Sequence, residues 1–255
     1  PAPPTPTDAD NLLQGRKDWT SRLTTPVSID GKGPFRFIID TGANRSVISS
    51  QVAAELQLPP GKPTTVHDIA GARMAATVNV QSFTASGAPI PIRDIPVLNG
   101  AALGAQGLLG IDAFKNRRVT FDFAHETVLI SRARSLYLGD PERSRQITTE
   151  TTVQAQQRSG QLTIIDAQAV GRPISCFIDS GAEESVGNLA MRRLIQPRGG
   201  PVAEVPVTLR GAAGQDAQGI VVSVPTLRIG HLRFTSFAMA FADLHTFSLW
   251  GLDSR

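Results

Sequence analysis

Residues 34–47 read Pro-Phe-Arg-Phe-Ile-Ile-Asp-Thr-Gly-Ala-Asn-Arg-Ser-Val, and residues 173–186 read Pro-Ile-Ser-Cys-Phe-Ile-Asp-Ser-Gly-Ala-Glu-Glu-Ser-Val. At a constant offset of 139, seven of the fourteen positions are identical, among them Asp40 with Asp179, Gly42 with Gly181 and Ala43 with Ala182. Thr41 against Ser180 keeps a hydroxyl. A chain that repeats itself in this way is built from two copies of one unit, and that decides the reading of everything around it.

The flanks repeat as well. Each copy opens with a strand, Leu23 to Ile29 in the first and Leu162 to Ala169 in the second, followed by a glycine-bearing turn and an apolar strand that ends in the aspartate. Each then carries a helix signal. Ser49 precedes Val52, Ala53 and Leu56, and Asn188 precedes Met191, Leu194 and Ile195; serine and asparagine are good N-caps, and Pro59 and Pro197 mark the helix ends. Beyond the helices the pattern becomes β-like again. Thr64–Ile69 and Met74–Val80 flank Ala70-Gly71-Ala72, and Val205–Leu209 and Gly219–Val224 flank Gly211-Ala212-Ala213-Gly214, so each copy has a glycine-tipped hairpin. The predicted organisation is a flexible, proline-rich leader over 1–18, a first lobe over 19–130, a polar, arginine-rich linker over 131–150 and a second lobe over 151–255.

An aspartate at the end of an apolar strand is costly unless it is paired or hydrogen-bonded. Here the device occurs twice. If a pseudo-twofold axis relates the lobes, Asp40 and Asp179 meet on it. Two carboxyls in one site do not both ionise readily, so the pair holds one proton over a broad pH range. The ionised member can activate a water and the protonated member can donate to a carbonyl oxygen. That is direct hydrolysis of an amide, with no covalent intermediate, no cofactor and no metal.

Asp40-Thr41-Gly42-Ala43 and Asp179-Ser180-Gly181-Ala182, each after an apolar strand, resemble the aspartic protease signature, and the short lobes resemble the retropepsin-like family. Leu108-Leu109-Gly110-Ile111-Asp112 is similar to that family's apolar-apolar-glycine motif, with a short helix over Ala113–Arg118 and a closing hairpin of Val119–Phe123 and Thr127–Ile130. The chain looks like a bacterial single-chain member with two lobes in tandem. The resemblance implies a mostly β fold of two pseudo-twofold-related barrel lobes with short helices. It also implies an aspartic endopeptidase with Asp40 and Asp179 as the catalytic dyad. Thr41 and Ser180 would cross-link the active-site loops, Gly42 and Gly181 would allow close approach of the substrate, and the hairpins at Gly71, Gly211 and Gly214 would be the flaps. Neither hairpin contains a tyrosine, and neither tip is as glycine-rich as in viral enzymes.

Leu249-Trp250-Gly251-Leu252-Asp253 also resembles the apolar-apolar-glycine motif, with Gly251 lying 72 residues after Asp179 against 70 between Asp40 and Gly110. Two readings stand. Either this segment is the second loop motif and the closing elements are missing, or the true motif lies beyond Arg255; in both, the second lobe lacks its end.

Composition excludes other classes. The single cysteine, Cys176, forbids an internal disulfide framework and reads as a core residue, and the four histidines show no metal-ligand spacing. The net charge of +3 and the pI near 9.5 come from scattered arginines not interleaved with aromatics, so no nucleic acid partner is expected. No run of 18 apolar residues exists, so no membrane span is expected. The expected partner is a peptide or an unfolded protein, and the expected state is a monomer acting as an internal pseudo-dimer. The start at Pro1 and the leader fit a periplasmic or secreted setting, with a cytoplasmic one as alternative. Glu183, Glu184, Asp112 and Asp253 read as loop or surface carboxylates, with Asp112 bracing the loop after Gly110.

Two other functions are compatible with these residues. One is a catalytically inactive peptide-binding or dimerisation module on the same fold. The other is a carboxylate-pair glycosidase, which needs its acids roughly 5–9 Å apart and not in contact.

Overall fold

The structure is a computed structural model that describes residues 11–14, 16–17, 22–114, 117–122, 127–132, 155–158, 161–196 and 203–252. It is mostly β. The first lobe runs β1 (Asn11–Gln14), β2 (Arg16–Lys17), β3 (Leu23–Ile29), β4 (Lys32–Ile39), β5 (Val47–Ser49) and α1 (Ser50–Glu55). It continues with β6 (Thr64–Asp68), β7 (Gly71–Ala75), β8 (Thr77–Val78), β9 (Phe83–Ala85), β10 (Ala88–Pro89) and β11 (Ile95–Leu98). It closes with α2 (Gly100–Leu103), β12 (Gly107–Leu109), a 3-10 turn over Ile111–Phe114, β13 (Arg117–Asp122) and β14 (Thr127–Arg132). The second lobe runs β15 (Ala155–Arg158), β16 (Gln161–Ala169), β17 (Arg172–Cys176), β18 (Val186–Gly187), α3 (Leu189–Ile195), β19 (Val205–Arg210), β20 (Asp216–Ile229), β21 (Leu232–Ala242) and α4 (His245–Leu249).

Local chemistry fixes the hairpins. Asp30-Gly31 joins β3 to β4 with φ of +49° and +75°, and Val170-Gly171 joins β16 to β17 with φ of +46° and +78°. Positive φ at both positions matches the strand twist in two-residue turns. Alternation then decides which side of each strand is buried: along β4, Phe35 and Phe37 are buried while Arg36 points outward. Phe37 is fully buried and meets Phe83 edge-on at 5.5 Å between ring centres. Burying one such ring contributes about 1.5–3 kcal/mol.

Each lobe has its own apolar core. In the first, Leu23, Ile29, Phe37, Ile39, Val52 and Leu109 pack together; in the second, Ala169, Ile174, Met191, Val222, Val224 and Phe241 do. Both expected helices are present and both are capped as read. Ser49 Oγ accepts from the Val52 N–H at 3.2 Å, and Asn188 Oδ1 accepts from the Met191 N–H at 2.6 Å.

The lobes differ in regularity. In the first, the path after the hairpin tip is broken into β7, β8, β9, β10 and β11, with Pro89, Pro91 and Pro96 along it. Proline lacks the N–H that a continuous ladder uses. In the second, the corresponding path is the long pair β20–β21, aligned antiparallel from Gly219–Ala242 to Ile229–Leu232. Residues 11–14 and 16–17, read from sequence as part of a flexible leader, form β1 and β2; β1 pairs with β14 through Leu12–Leu129 and Leu13–Val128. Backbone pairing with β14 gives this stretch its strand. Residues 131–132 end β14, and the rest of the expected linker, 133–150, lies outside the described residues, as do residues 1–10. Among the described residues no helix is long and apolar enough to cross a membrane.

Candidate active site

β4 runs into the first lobe between two neighbours. β3 lies antiparallel on one side, and β12 lies parallel on the other through Phe37–Gly107, Ile38–Leu108 and Ile39–Leu109. The Asp40 N–H donates to the Leu109 carbonyl at 3.0 Å, which pins the residue at the strand end. The chain then turns, so that the Gly42 and Ala43 N–H groups both donate to Asp40 Oδ1 at 2.9 Å. The second copy does the same: Gly181 and Ala182 donate to Asp179 Oδ1 at 2.9 and 3.1 Å. Each carboxylate is thus oriented by its own loop, with one oxygen committed to backbone donors.

The two loops are joined by reciprocal bonds across the lobes. Thr41 Oγ1 donates to the Ile178 carbonyl at 2.7 Å and accepts from the Ser180 N–H at 3.0 Å. Ser180 Oγ donates to the Ile39 carbonyl at 2.7 Å and accepts from the Thr41 N–H at 3.1 Å. One hydroxyl from each copy therefore satisfies two backbone groups of the other. This is the junction in which the expected roles of Thr41 and Ser180 are geometrically possible.

The carboxyls meet there. A Cβ on Gly42 would lie 2.2 Å from Asp179 Oδ2, and one on Gly181 would lie 2.4 Å from Asp40 Cγ. Each glycine clears space for the other copy's aspartate. Asp40 and Asp179 share a hydrogen bond, and the Asp40 pKa is pushed up to about 8. Burial of its carboxyl is the main cause, followed by the charge of Asp179 and the bond to it; the Ala43 and Gly42 N–H groups pull the other way. Acids in hydrogen-bond contact do not have the separation a glycosidase needs.

A brace not read in full from the sequence lies behind the first loop. Asp112 Oδ1 accepts from the Ser46 N–H at 2.8 Å and from Ser46 Oγ at 2.7 Å, and Ser46 Oγ accepts from the Gly110 N–H at 3.1 Å. Asp112 therefore ties the loop that carries Asp40 to the one that carries Gly110. Burial raises its pKa and the Ser46 bonds oppose that rise. Arg45 carries the same loop outward, donating to Thr64 Oγ1 at 3.2 Å and to the Asp94 carbonyl at 2.7 Å. Arg45 and Ser46, in a stretch that matches a glycosylation sequon, thus do structural service, and Ser46 is buried.

The hairpins at the expected flap positions are formed. β6 and β7 pair from Thr64–Ala75 to Asp68–Gly71, and β19 and β20 pair from Val205–Val221 to Arg210–Asp216. Gly71 opens β7, while Gly211 and Gly214 bracket the second turn, where the Gly214 N–H donates to the Gly211 carbonyl at 2.9 Å. Each hairpin tip reaches the opposite lobe. Ile69 packs in a cluster with Phe177, Val186, Leu209 and Trp250, and Ala213 packs with Leu98 and Leu103. These cross-lobe contacts carry no local sequence signal.

The second lobe departs from the first beside Asp179. α4 follows β21 as α2 follows β11, and both strands run parallel to the loop strand of their lobe, β21 to β18 and β11 to β5. Gly104 at the end of α2 and Gly251 just past α4 both have φ of +67°. Over its described residues, Leu249–Leu252, the segment is therefore a helix end and not the loop strand it resembles. Glycine closes a helix as readily as it ends a strand, so the tripeptide alone does not distinguish them. Leu252 is buried, its carbonyl accepting from the Asn188 side chain, and Asp253 lies outside the described residues. Among the described residues no strand flanks Phe177–Asp179 as β12 flanks β4. Ile178 is 52% exposed, whereas its counterpart Ile39 is fully buried.

The other readings fall as follows. Cys176 packs against the second core, and burial raises its thiol to about 11, so it stays an unreactive thiol. Glu183 and Glu184 are exposed, and Glu183 faces Arg22 at 3.6 Å across the lobes.

Residues 25–116, which span β4, the Asp40 loop, the first hairpin and β12, match the family described as "gag-polyprotein putative aspartyl protease". That stretch lies in the first lobe, which is similar to this family of aspartyl proteases. The chain is also similar in structure to a retropepsin-like aspartic protease from Rickettsia conorii. That match has 17% identity and a TM-score of 0.33, and covers 48% of this chain and 89% of that one. A search of curated proteins returned no match.

Proposed function

We propose that the chain is an aspartic endopeptidase in which Asp40 and Asp179 act together on one water. The reading is carried by the hydrogen bond between the two carboxyls at the lobe junction, each carboxyl held by two N–H groups of its own loop. Such a pair binds one proton between its members. Asp40, with its raised pKa, holds that proton. The Asp179 carboxylate takes a proton from water as the water oxygen bonds to the peptide carbonyl carbon. Asp40 gives its proton to the carbonyl oxygen, forming a neutral gem-diol. Asp179 then gives its proton to the nitrogen, the C–N bond breaks, and a gem-diol hydroxyl returns its proton to Asp40, which leaves an acid and an amine and restores the pair. The substrate is a peptide or unfolded protein, which the two hairpins would hold as an added strand.

The experiment is cleavage of an unfolded protein by the chain and by Asp40→Asn and Asp179→Asn. Each variant is expected to lose at least about 10²–10⁴-fold in rate, the usual worth of a positioned acid or base. Undiminished cleavage by both would sink the reading. The exposed Ile178 beside Asp179 favours a second reading, a peptide-binding module without turnover. That reading requires peptide binding with no cleavage by the unsubstituted chain.

A further inference from the structure

The first hairpin is fastened across the molecule. Val66 and Ala75 share a buried cluster with Ile38, two residues before Asp40, while Ile69 shares one with Phe177, two residues before Asp179. The hairpin thus bridges the two segments that deliver the carboxylates. Three polar contacts hold its tip to the second lobe. The Ile69 carbonyl accepts from the His245 N–H at 2.8 Å. Asp68, only 6% exposed, accepts from the Ala213 N–H at 2.9 Å, while its other oxygen takes its neighbour's Ile69 N–H at 2.7 Å. His67 Nδ1 faces His245 Nε2 at 3.0 Å, with the two rings inclined by only 12°.

We propose that His67 and His245 form a proton-operated latch that holds the first hairpin across the cleft at neutral pH and releases it on acidification. The facing nitrogens need one proton between them: one donates, the other accepts through its lone pair. A first added proton goes to an outer nitrogen and leaves that bond intact. A second puts N–H on both facing nitrogens, removes the acceptor and sets two cations about 3 Å apart. The latch then has no bonding arrangement, and the tip is left with two polar contacts, those of Asp68 and Ile69, beside the apolar packing of Ile69.

The charged groups on the elements around the pair are few. Asp68 sits beside His67 on β6 and is committed to two N–H groups. Arg73 lies on β7, which pairs with β6, and its Nε is buried without a partner. Asp243 precedes α4 and is exposed. Arg210 and Asp216, on the second hairpin, are bonded to each other at 2.9 Å. A carboxylate bonded to the histidines, which would hold both as cations, is not among the described contacts.

The latch rests on the peptidase reading only for its consequence, access to the cleft, so it is tested on a chain that does not cleave itself. In the full chain carrying Asp179→Asn, hydrogen exchange of residues 64–75 is measured at about pH 7.5 and about pH 4.5, corrected for intrinsic rates. Protection is expected to fall about tenfold or more on acidification. In the same chain with His67→Asn and His245→Gln, whose amides can make a bond that does not titrate, the fall should be no more than about twofold. Equal protection of the histidine chain at both pH values overturns the proposal, as does an equal fall in the Asn/Gln chain. Should the Asn/Gln chain fail to fold, Trp250 decides, since it packs against the same apolar cluster as Ile69. In a Trp19→Phe background its emission is expected to shift to the red over the same pH range with unchanged far-ultraviolet circular dichroism. No shift overturns the latch.

Discussion

Asp40 is where sequence, burial and protonation meet. A carboxyl with an ordinary pKa of 3.8 that is raised to about 8 binds a proton in the folded chain over a range in which the unfolded chain has lost it. Stability therefore falls as pH rises between those values and levels off above the higher one. Calorimetry should show a melting temperature that declines from about pH 4 to about pH 8 in the unsubstituted chain. That slope should be flatter in Asp40→Asn, and equal slopes would contradict the assignment. In the proposed hydrolysis the same proton sets the alkaline limb, so kcat/KM should fall as pH rises through about 8. The glycines make a second residue-scale prediction. Gly42→Ala and Gly181→Ala put a methyl within 2.2 and 2.4 Å of the opposite aspartate, against side chains held by two N–H bonds each. Both should lower cleavage by about 10²-fold or more, since small misplacement of reacting groups is that costly. The aspartates, the glycines and the paired hydroxyls were legible in the repeat, because each is a local requirement on residue type.

At the scale of elements, the brace formed by Asp112 makes a claim that separates positioning from chemistry. Asp112→Asn keeps an acceptor for the Ser46 N–H, whereas Ser46→Ala removes the hydroxyl that links Asp112 to Gly110. Ser46→Ala should cost about 1–3 kcal/mol by leaving the buried Gly110 N–H without an acceptor, seen as a lower denaturant midpoint. Asp112→Asn should cost less. A cost from Ser46→Ala within about 0.5 kcal/mol of zero would show the brace to be idle. Strands, caps and hairpins were readable because alternation, Ser49, Asn188 and the glycine turns act over a few residues. The helix end at Leu249–Gly251 was not, since apolar-apolar-glycine suits a C-cap and a strand end equally, and only the packing of Leu252 beside Ala242, Leu244 and Phe247 distinguishes them. β1 was missed because its partner β14 lies far along the chain.

The whole molecule is two lobes that complete each other unequally. Ile39 is sealed between β3 and β12, while its counterpart Ile178 is half open. Ile39→Ala should therefore cost about 2–5 kcal/mol, the range for an aliphatic residue truncated in a packed core. Ile178→Ala should stay within about 1 kcal/mol. Urea unfolding of both variants checks this asymmetry, and equal costs would mean that Asp179 is as firmly built in as Asp40. The sequence by itself determined that the fold is doubled, that it is mostly β, and that each copy contributes one aspartate with its hydroxyl and glycine, because these are carried by short runs with fixed chemistry. Only the tertiary structure decided that Asp112 reaches Ser46 in the Asp40 loop, that each hairpin tip lodges in the opposite lobe and that His67 meets His245. Those are contacts between residues far apart in the chain. They come into being when the lobes pack against each other, and no local spacing encodes them.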